Sequence, residues 1–384
     1  MVRVFVNATS AVLGGGITVL RHLLATFPAV DDGEGLYTVI CRREVSREID
    51  PGHKRVELLT QDLSTSSPIK RVWWEQLRLP SSLGAKFDVL LSPANVGVLA
   101  ARIPQVLVFQ NMAPFDARVR RTSRLQGRVR LEGLRLMGIA SARVARRVVF
   151  ISDYARESIA RQAGLAADKT VRVYLGRDPA FAPTPRERID GVLQRYRLTT
   201  PYVLSVSHFY HYKNIVELVR AFALARTGLG SRVTLAIAGA EHEHDYAAAV
   251  RRSIADAGID DCVRLLGPVG SADLPALYAG ATLFVFPSTC ESFPNILVEG
   301  MASGAPTLSS REGPMPEIAG SGAAYFDPFD PSDIAATIVR VWKDGDEAKR
   351  LRSSALARVR DFSWERTAQG LLDALRCATS FGRE

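Results

Sequence analysis

The chain has 384 residues, of which 47% are hydrophobic, and it carries a formal net charge of +9. The length predicts two domains, and the positive charge favours an anionic partner without identifying which one. No apolar run reaches the roughly 18 residues of a membrane-spanning helix. The N-terminal stretch MVRVFVNATS has the pattern of a strand rather than a signal peptide. The four cysteines form no CxxC pair and are typical of reduced thiols, so we expect a cytoplasmic protein.

Short β-branched segments alternate with helical patterns through the first half of the chain. The strand candidates are VRVFV, YTVI, VELL, FDVLL, VLVF, RVVFI and VRVY. Helical stretches such as GITVLRHLLATF and DYARESIARQAG lie between several of them. This alternation is typical of a doubly wound parallel sheet, and it predicts a Rossmann-like domain over residues 1–178.

The second half repeats this pattern after an interruption. GRDPAFAPTPRERIDG contains three prolines between Pro179 and Pro185 and no clear periodicity, so we assign a linker to residues 179–200. Strand candidates then resume, from YVLSVS to AAYFD, and predict a second Rossmann-like domain over residues 201–363. The tail FSWERTAQGLLDALRCA predicts an amphipathic helix within residues 364–384. We therefore expect an α/β protein with two such domains facing across a cleft, and ligands beyond the carboxyl ends of the strands.

Two loops of the first domain carry candidate ligand-binding residues. In NATSAVLGGGITVL, Gly15 and Gly16 allow the backbone to approach a ligand where a helix begins, which favours an anion site, although a flexible turn is the alternative. The segment lacks the G-x-G-x-x-G pattern of a dinucleotide fold. In VLVFQNMAPFD, Gln110 and Asn111 end a strand. Their amides either bind a polar ligand or cap the next segment.

Two loops of the second domain carry charged candidates. Lys213, in SHFYHYKN, begins a helix, where the dipole disfavours a cation; it therefore faces a bound anion or is a solvated lysine. Glu291 and Glu299, in CESFPNILVEGMASGAP, flank a helix start whose amides favour phosphate. Carboxylates would accept hydrogen bonds from sugar hydroxyls, so the combination predicts a nucleotide-diphosphate sugar. The alternative is a helix with ordinary acidic residues. The residues at the helix start are Pro294, Asn295 and Ile296.

The segment PSTCESFPNILVEGMASGAPTLSS, followed by PEIAGSGAAYFDPFDPSDIA and FSWERTA, resembles the C-terminal half of retaining glycosyltransferases of family 4, in the GT-B superfamily. The resemblance covers nearly the whole chain and is weakest over residues 31–83. It implies an acceptor domain, then a donor domain, and a final helix that crosses back to the acceptor domain.

The resemblance also implies roles for single residues. Glu299 would bind the nucleotide ribose, and Glu291 would lie beside the donor sugar. Lys213 would neutralise the donor diphosphate, which Gly15 and Gly16 would approach. The donor is a substrate, so no cofactor and no metal are implied.

Two positions depart from the family pattern. Ser207 and His208 stand where the family usually carries Gly-Arg, five residues before its lysine. We expect His208 to face the diphosphate and to be protonated there, since a nearby phosphate raises the pKa of an imidazole. Gln110 stands where the family often has histidine, before Asn111. Glutamine can bind a sugar hydroxyl but cannot take a proton.

Four other functions compete with a metal-independent retaining transferase. A non-catalytic GT-B donor-binding or scaffold subunit is favoured by His208 and Gln110. A sugar-nucleotide epimerase should lack the two glutamates at this spacing, and an NADP oxidoreductase is more distant. Glycoside hydrolysis would use the two glutamates as acid and nucleophile, but Glu299 should be occupied by ribose. A zinc site would require convergence of the histidines at positions 208, 211, 242 and 244.

An arginine-rich segment lies in the first domain, between residues 118 and 147. Ten arginines there alternate with leucines, valines and a methionine, which predicts an amphipathic helix. Such a surface would contact an anionic membrane or a lipid-diphosphate acceptor, unless it is an ordinary solvated helix. The expected partners are thus a nucleotide sugar, a hydroxyl acceptor from a cell-envelope glycan, lipid-linked sugar or metabolite, and this membrane surface, at the inner membrane face. We expect no nucleic acid.

Overall fold

The protein is described from a computed structural model that covers residues 2–11, 15–61, 68–230 and 232–380. The chain forms two compact units. The first comprises Met1–Gly176 and Phe362–Glu384, and the second comprises Arg177–Asp361. None of the described helices is both long and apolar enough to cross a bilayer.

The first unit contains a seven-stranded sheet whose described strand pairs are all parallel. Its strands are β1 Val2–Asn7, β2 Gly35–Arg42, β3 Val56–Gln61, β4 Val89–Ser92, β5 Gln105–Phe109, β6 Arg147–Phe150 and β7 Thr170–Arg172. Their order across the sheet is β3-β2-β1-β4-β5-β6-β7, so the order reverses between β1 and β4.

Helices connect these strands. They are α1 Gly15–Val30, α2 Arg43–Ile49, α3 Pro68–Leu77, α4 Leu79–Leu83, α5 Ala117–Thr122, α6 Leu125–Val144 and α7 Asp153–Ala163, with 3-10 turns at Gly84–Lys86 and Ala167–Lys169. The strands β4 and β5 are buried along their whole length, as expected for a sheet covered by helices on both faces.

The second unit contains a six-stranded sheet, again parallel in all described pairs. Its strands are β8 Tyr202–Val206, β9 Thr234–Ala238, β10 Val263–Gly267, β11 Leu283–Phe286, β12 Thr307–Ser310 and β13 Ala323–Phe326. The order is β10-β9-β8-β11-β12-β13, which places β8 beside β11 with Leu283 paired to Val203. The order reverses between these two strands, the position at which such sheets bind ligands.

The second unit is also covered by helices. They are α8 Arg186–Arg195, α9 Ile215–Leu229, α10 His244–Asp256, α11 Leu274–Gly280, α12 Asn295–Ala302, α13 Met315–Ala319, α14 Pro331–Lys343 and α15 Gly345–Arg358, with 3-10 turns at His211–Lys213, Gly320–Gly322 and Val359–Asp361. The prediction of two doubly wound parallel sheets is confirmed.

One sequence interpretation is wrong. Residues 186–195, inside the predicted linker, form the helix α8. Its buried residues Ile189, Val192 and Leu193 have the i, i+3, i+4 spacing of a helix face. The prolines that precede the helix hid this pattern, because the proline-rich segment that predicted the linker contains only the first part of α8.

The last helix, α16 Trp364–Ser380, belongs to the first unit. Its Trp364 ring stacks on His22 of α1, with ring centroids 4.7 Å apart. The Thr367 hydroxyl donates to the Tyr174 carbonyl at 2.8 Å. The helix α16 thus completes the core of the first unit.

Candidate active site

The candidate site of the second unit is built from the loops that follow β8 and β11. These neighbouring strands bring their carboxyl ends to one edge of the sheet. The loops are joined at Tyr212, whose carbonyl accepts hydrogen bonds from the Thr289 amide at 2.8 Å and from the Thr289 hydroxyl at 3.1 Å. This connection fixes the position of the next residue, Lys213.

Lys213 forms an ion pair with Glu291. The Lys213 Nζ atom lies 2.6 Å from Glu291 Oε1, and their side chains are only 10% and 14% exposed. The Ser288 hydroxyl donates to the same carboxylate oxygen at 2.7 Å. The alternative of a solvated lysine is therefore wrong. Lys213 ends the 3-10 turn before α9 rather than starting the helix, and Asn214, with a φ of 59°, connects the two.

Glu299 is the fifth residue of α12, one turn inside the helix as predicted. Burial and then the negative charge of Asp178 raise the pKa of Glu299 to about 7, although Tyr278 and Lys213 oppose the shift. The Tyr278 hydroxyl, on α11, lies 3.5 Å from Glu299 Oε2, which is the long limit of a hydrogen bond. The raised pKa means that the protein disfavours the charged form of Glu299. A ligand that donates hydrogen bonds to the carboxylate would stabilise that charged form.

The start of α12 offers backbone donors beside these carboxylates. Pro294 occupies the N-cap position and provides no side-chain hydrogen bond. The Asn295 amide donates to the Phe293 carbonyl at 3.0 Å, and the first bond of the helix runs from Val298 to Pro294. Helix geometry leaves the intervening amides, including that of Ile296, without an intrahelical acceptor, which suits a phosphate.

Ser207 lies in the loop after β8, close to the end of β9. Its hydroxyl is buried and has no hydrogen-bond partner among the described residues. A Cβ atom on Gly239 would lie 1.8 Å from the Ser207 carbonyl oxygen, and Gly239 has a φ of +153°. Only glycine fits there, so the close packing of the two strand ends depends on it.

His208 differs from its expected state. The Ala240 amide donates to His208 Nδ1 at 3.1 Å, so this nitrogen carries no proton. Partial burial, then the neighbouring His242 and Lys213, lower the pKa of His208. The protein groups around His208 therefore favour the neutral ring, with its proton on Nε2. The expectation that a bound diphosphate protonates this ring stays a prediction.

We expect His208→Ala to lower kcat/KM by about three- to tenfold, the value of one neutral hydrogen bond to phosphate. Because the ring is neutral near pH 7, the kcat/KM of the wild type should not fall between pH 7 and 9 through loss of a charge on His208. The His208→Arg variant should therefore have the same pH profile in that range. The measurement is kcat/KM against pH for wild type, His208→Ala and His208→Arg. A wild-type decline that is missing in His208→Arg would show instead that the charged ring supports transfer.

The two glycines of the first unit begin α1. Gly15 is exposed, and a Cβ atom on Gly16 would meet Ala11 only at ordinary contact distance, 3.9 Å. Steric crowding therefore does not explain the glycine at position 16. The rest of the glycine-rich loop, residues 12–14, lies outside the described residues. The anion site at this helix start stays a prediction.

Gln110 and Asn111 follow β5 and make internal hydrogen bonds. Gln110 Nε2 donates to the Pro93 carbonyl at 2.8 Å. The amides of both residues donate to Asn95 Oδ1, at 2.9 and 3.0 Å. Asn111 Oδ1 accepts from the Ala113 amide at 2.9 Å, which favours the capping role. The Gln110 side-chain oxygen remains a candidate acceptor for a sugar hydroxyl.

The histidines of the second unit do not converge. His242 contacts the ring of His208, whereas His211 Nδ1 lies 2.7 Å from Glu243 Oε2. No three His, Cys, Asp or Glu side chains within the described residues are placed to hold a metal ion. The geometry thus gives no support to the zinc alternative.

Sequence reasoning missed several residues that shape the site. Tyr278 and Asp178, which set the environment of Glu299, lie in separate segments with no motif of their own. Ser288 lies within the PSTCESFP loop, three residues before Glu291, and could have been noticed there. Gly239, directly after a strand, was the available signal for a close backbone approach.

Comparison with known proteins finds a family match within the second unit. Residues 194–358 match the model of the family described as glycosyl transferases group 1. The O-antigen chain mannosyltransferase B of Escherichia coli is 30% identical over 234 residues, which are 60% of this chain and 61% of that protein. The chain thus spans less than two thirds of this relative's length.

Solved structures show the same fold. The HepE protein of Anabaena in complex with UDP-glucose gives a TM-score of 0.76 at 21% identity, over 98% of this chain and 100% of that chain. Sucrose-phosphate synthase of Thermosynechococcus elongatus gives 0.76 at 18% identity, over the full length of both chains. These likenesses confirm the predicted GT-B fold.

Proposed function

We propose that the protein is a retaining glycosyltransferase, a proposal supported by the match of residues 194–358 to the model of the glycosyl transferases group 1 family. It moves a sugar from a nucleotide-diphosphate sugar to an acceptor hydroxyl. One observation carries the proposal: the buried Lys213–Glu291 pair lies at the strand ends where the order of the second sheet reverses. A cation with little access to solvent, at the place where such sheets bind ligands, is suited to a diphosphate.

The donor is held by the second unit. Glu299 accepts hydrogen bonds from the ribose hydroxyls, and the free amides at the start of α12 bind the diphosphate together with Lys213. Glu291 orients Lys213 and accepts hydrogen bonds from the transferred sugar. Ser207 and His208 add hydrogen-bond donors to the phosphates from the loop after β8. In this assignment Lys213, Glu291 and Glu299 each contact a different part of the donor.

Transfer occurs on one face of the sugar. The bond between the anomeric carbon and the diphosphate oxygen breaks, and the acceptor oxygen forms its bond on the same face. The acceptor proton passes to the departing phosphate oxygen, so no protein base is required. Lys213 and the α12 amides stabilise the charge that develops on the diphosphate, and we propose that this suffices without a metal.

The first unit binds the acceptor, for which Gln110 offers a hydrogen-bonding oxygen. The E. coli relative is named for the O-antigen chain, so we propose that the acceptor is a growing cell-envelope glycan or its lipid-linked precursor. The HepE structure contains UDP-glucose, so UDP-sugars are the first donors to test, followed by GDP-sugars.

The test is a donor screen followed by product analysis. UDP- and GDP-sugars are ranked by thermal shift, and products with lipid-linked or soluble glycan acceptors are identified by mass spectrometry. Proton NMR of the new linkage should show the anomeric configuration of the donor. An inverted linkage would contradict the retaining mechanism. Donor binding without transfer or hydrolysis would favour the alternative of a non-catalytic GT-B subunit.

We further propose that α5 and α6 contact an anionic membrane. Three side chains share one face of α6 and are exposed, namely Leu125 at 76%, Val129 at 64% and Leu136 at 56%. The arginines at positions 121, 124, 128 and 130, on or next to these two helices, are exposed as well. Apolar and cationic side chains together are the pattern of a helix that lies in the headgroup region.

We expect the protein to sediment with phosphatidylglycerol vesicles and not with phosphatidylcholine vesicles. Arg124→Gln/Arg128→Gln should weaken binding by about tenfold or more, since each cation contributes about 1 kcal/mol. Leu125→Ser/Val129→Ser should also weaken it. Leu224→Ser, an equally exposed leucine of the second unit at 57%, is the matched control. Equal binding of wild type to both vesicle types would contradict the proposal.

A further inference from the structure

A cavity of about 900 Å³ lies at the amino ends of β5 and β6. Gln105, the first residue of β5, and Arg147, the first residue of β6, both line it. The candidate acceptor residue Gln110 follows the opposite end of β5, about 15 Å along the strand. This cavity is therefore separate from the edge where the sheet is expected to bind its substrate, and its volume is within the range of ligand pockets.

The cavity wall is strongly positive. Four cations line it, Arg143, Arg146, Arg147 and Lys169, against the single acid Asp168. Three of these cations donate to backbone carbonyls: Arg143 Nε to Ala163 at 3.0 Å, Lys169 Nζ to Arg143 at 2.6 Å, and Arg147 to Asp168. Carbonyl groups orient a cation but leave its charge uncompensated.

Two further observations show the same excess of positive charge. Arg147 donates through NH1 to the Asp168 carbonyl, yet its buried Nε has no acceptor among the described residues. Burial and then the charge of Arg146 lower the pKa of Lys169, which Asp168 only partly opposes. An anion in the cavity would relieve both costs.

The remaining wall is apolar. Leu99, Ile103 and Val144 line it, from the loop before β5 and the end of α6, and the side chains of Leu99 and Val144 are 37% and 54% exposed. A free inorganic anion would leave this surface uncovered. An amphiphilic anion would cover this surface with its apolar part and so gain affinity over the inorganic anion.

We propose that this cavity is a second ligand site that binds a phosphate-bearing amphiphile, with the phosphate at Arg146, Arg147 and Lys169 and the apolar part against Leu99, Ile103 and Val144. The phosphate is either a lipid headgroup or part of a soluble phosphorylated compound. The site is independent of the donor site and of the proposed transfer reaction.

The protein contains a reporter for this site. Cys377 lines the cavity and is half-buried, whereas the other three cysteines, at positions 41, 262 and 290, are buried. Alkylation of Cys377 by iodoacetamide, followed by peptide mass spectrometry, therefore measures occupancy without any assay of transfer. Alkylation of the buried cysteines would report unfolding in the same sample.

Dihexanoyl phosphatidic acid, below its micelle concentration, is expected to slow Cys377 alkylation about fourfold at three times its Kd, by mass action. Dihexanoyl phosphatidylcholine is the matched control and should not protect. Inorganic pyrophosphate distinguishes the two sources of the phosphate. Protection of Cys377 by both pyrophosphate and dihexanoyl phosphatidic acid indicates a site that accepts soluble phosphates. Protection by the lipid alone indicates a site for a lipid headgroup.

Arg146→Gln/Lys169→Gln should abolish the protection, and Arg143→Gln alone should reduce it if the double variant does not fold. Lys349→Gln, an exposed lysine of the second unit, should leave protection unchanged. The proposal is overturned if neither phosphate compound protects the wild type, or if the Arg146→Gln/Lys169→Gln variant keeps full protection.

Discussion

Replacing Lys213 with alanine is expected to lower the free energy of unfolding by about 3–5 kcal/mol, because the change leaves the Glu291 carboxylate buried without its cation. The same variant should lose about 100- to 1,000-fold in kcat, because in the proposed function the diphosphate loses the cation that stabilises it at the strand ends. A solvated lysine would have shown little change in stability. Urea unfolding and steady-state kinetics with the donor found in the screen measure the two effects separately.

A double variant separates the structural role of Lys213 from its catalytic one. Lys213→Ala/Glu291→Gln removes both charges, so it should recover much of the lost stability. Its kcat should stay low, because neutralising Glu291 does not restore a cation beside the diphosphate. Recovery of kcat in the double variant would show that Lys213 acts only by compensating Glu291. Lys349→Ala, which breaks an exposed pair with Asp346, should cost under about 1 kcal/mol.

The fold was predictable because its signals are local. Most strands of the two sheets are short apolar runs with β-branched residues, and the alternation with helices indicates parallel pairing. The start of α12 and the positions of Glu291 and Glu299 around it also follow from a continuous segment, which carries its own turn and helix signals. The helix α8 was missed because its apolar residues follow a proline-rich stretch that dominates the local pattern.

The site was predictable in composition but not in its pairings. Lys213 and Glu291 are 78 positions apart, so no local pattern could show that they form an ion pair. The neutral state of His208 depends on the amide of Ala240, a contact made between two loops. The environment of Glu299 likewise comes from Asp178 and Tyr278, which lie in other segments. Side-chain chemistry is encoded locally, whereas pKa values are set by tertiary contacts.

Those tertiary contacts give stability a specific pH dependence. The pKa of Glu299 in the folded protein is about 7, above its ordinary value of 4.5. Between these two values the folded state binds more protons than the unfolded state, so stability should fall as the pH rises from 5 to 7. The Glu299→Gln variant should lack this part of the decline, which urea unfolding at each pH would measure.

Nucleotide affinity should change in the opposite direction. In the proposed function, ribose hydroxyls donate hydrogen bonds to the ionised carboxylate of Glu299, so binding below pH 7 must first remove its proton. With a pKa of about 7, affinity should rise about tenfold between pH 6 and pH 8 and then level off. Isothermal titration calorimetry with UDP and GDP measures this rise. At pH 8, Glu299→Gln should cost about 1.5–3 kcal/mol of binding free energy, the value of a hydrogen bond to a charged group.

Two variants assign the pH dependence to the carboxylate. The nucleotide phosphates also titrate, at a pKa near 6, and Glu299→Gln retains only their contribution, so the difference between the two curves belongs to Glu299. Asp178→Asn removes the negative charge that helps to raise the pKa of Glu299, so it should move the midpoint of the wild-type curve to lower pH. Identical curves for wild type and Glu299→Gln would mean that the phosphates alone control the pH dependence, and Glu299 would then be removed from the ribose site.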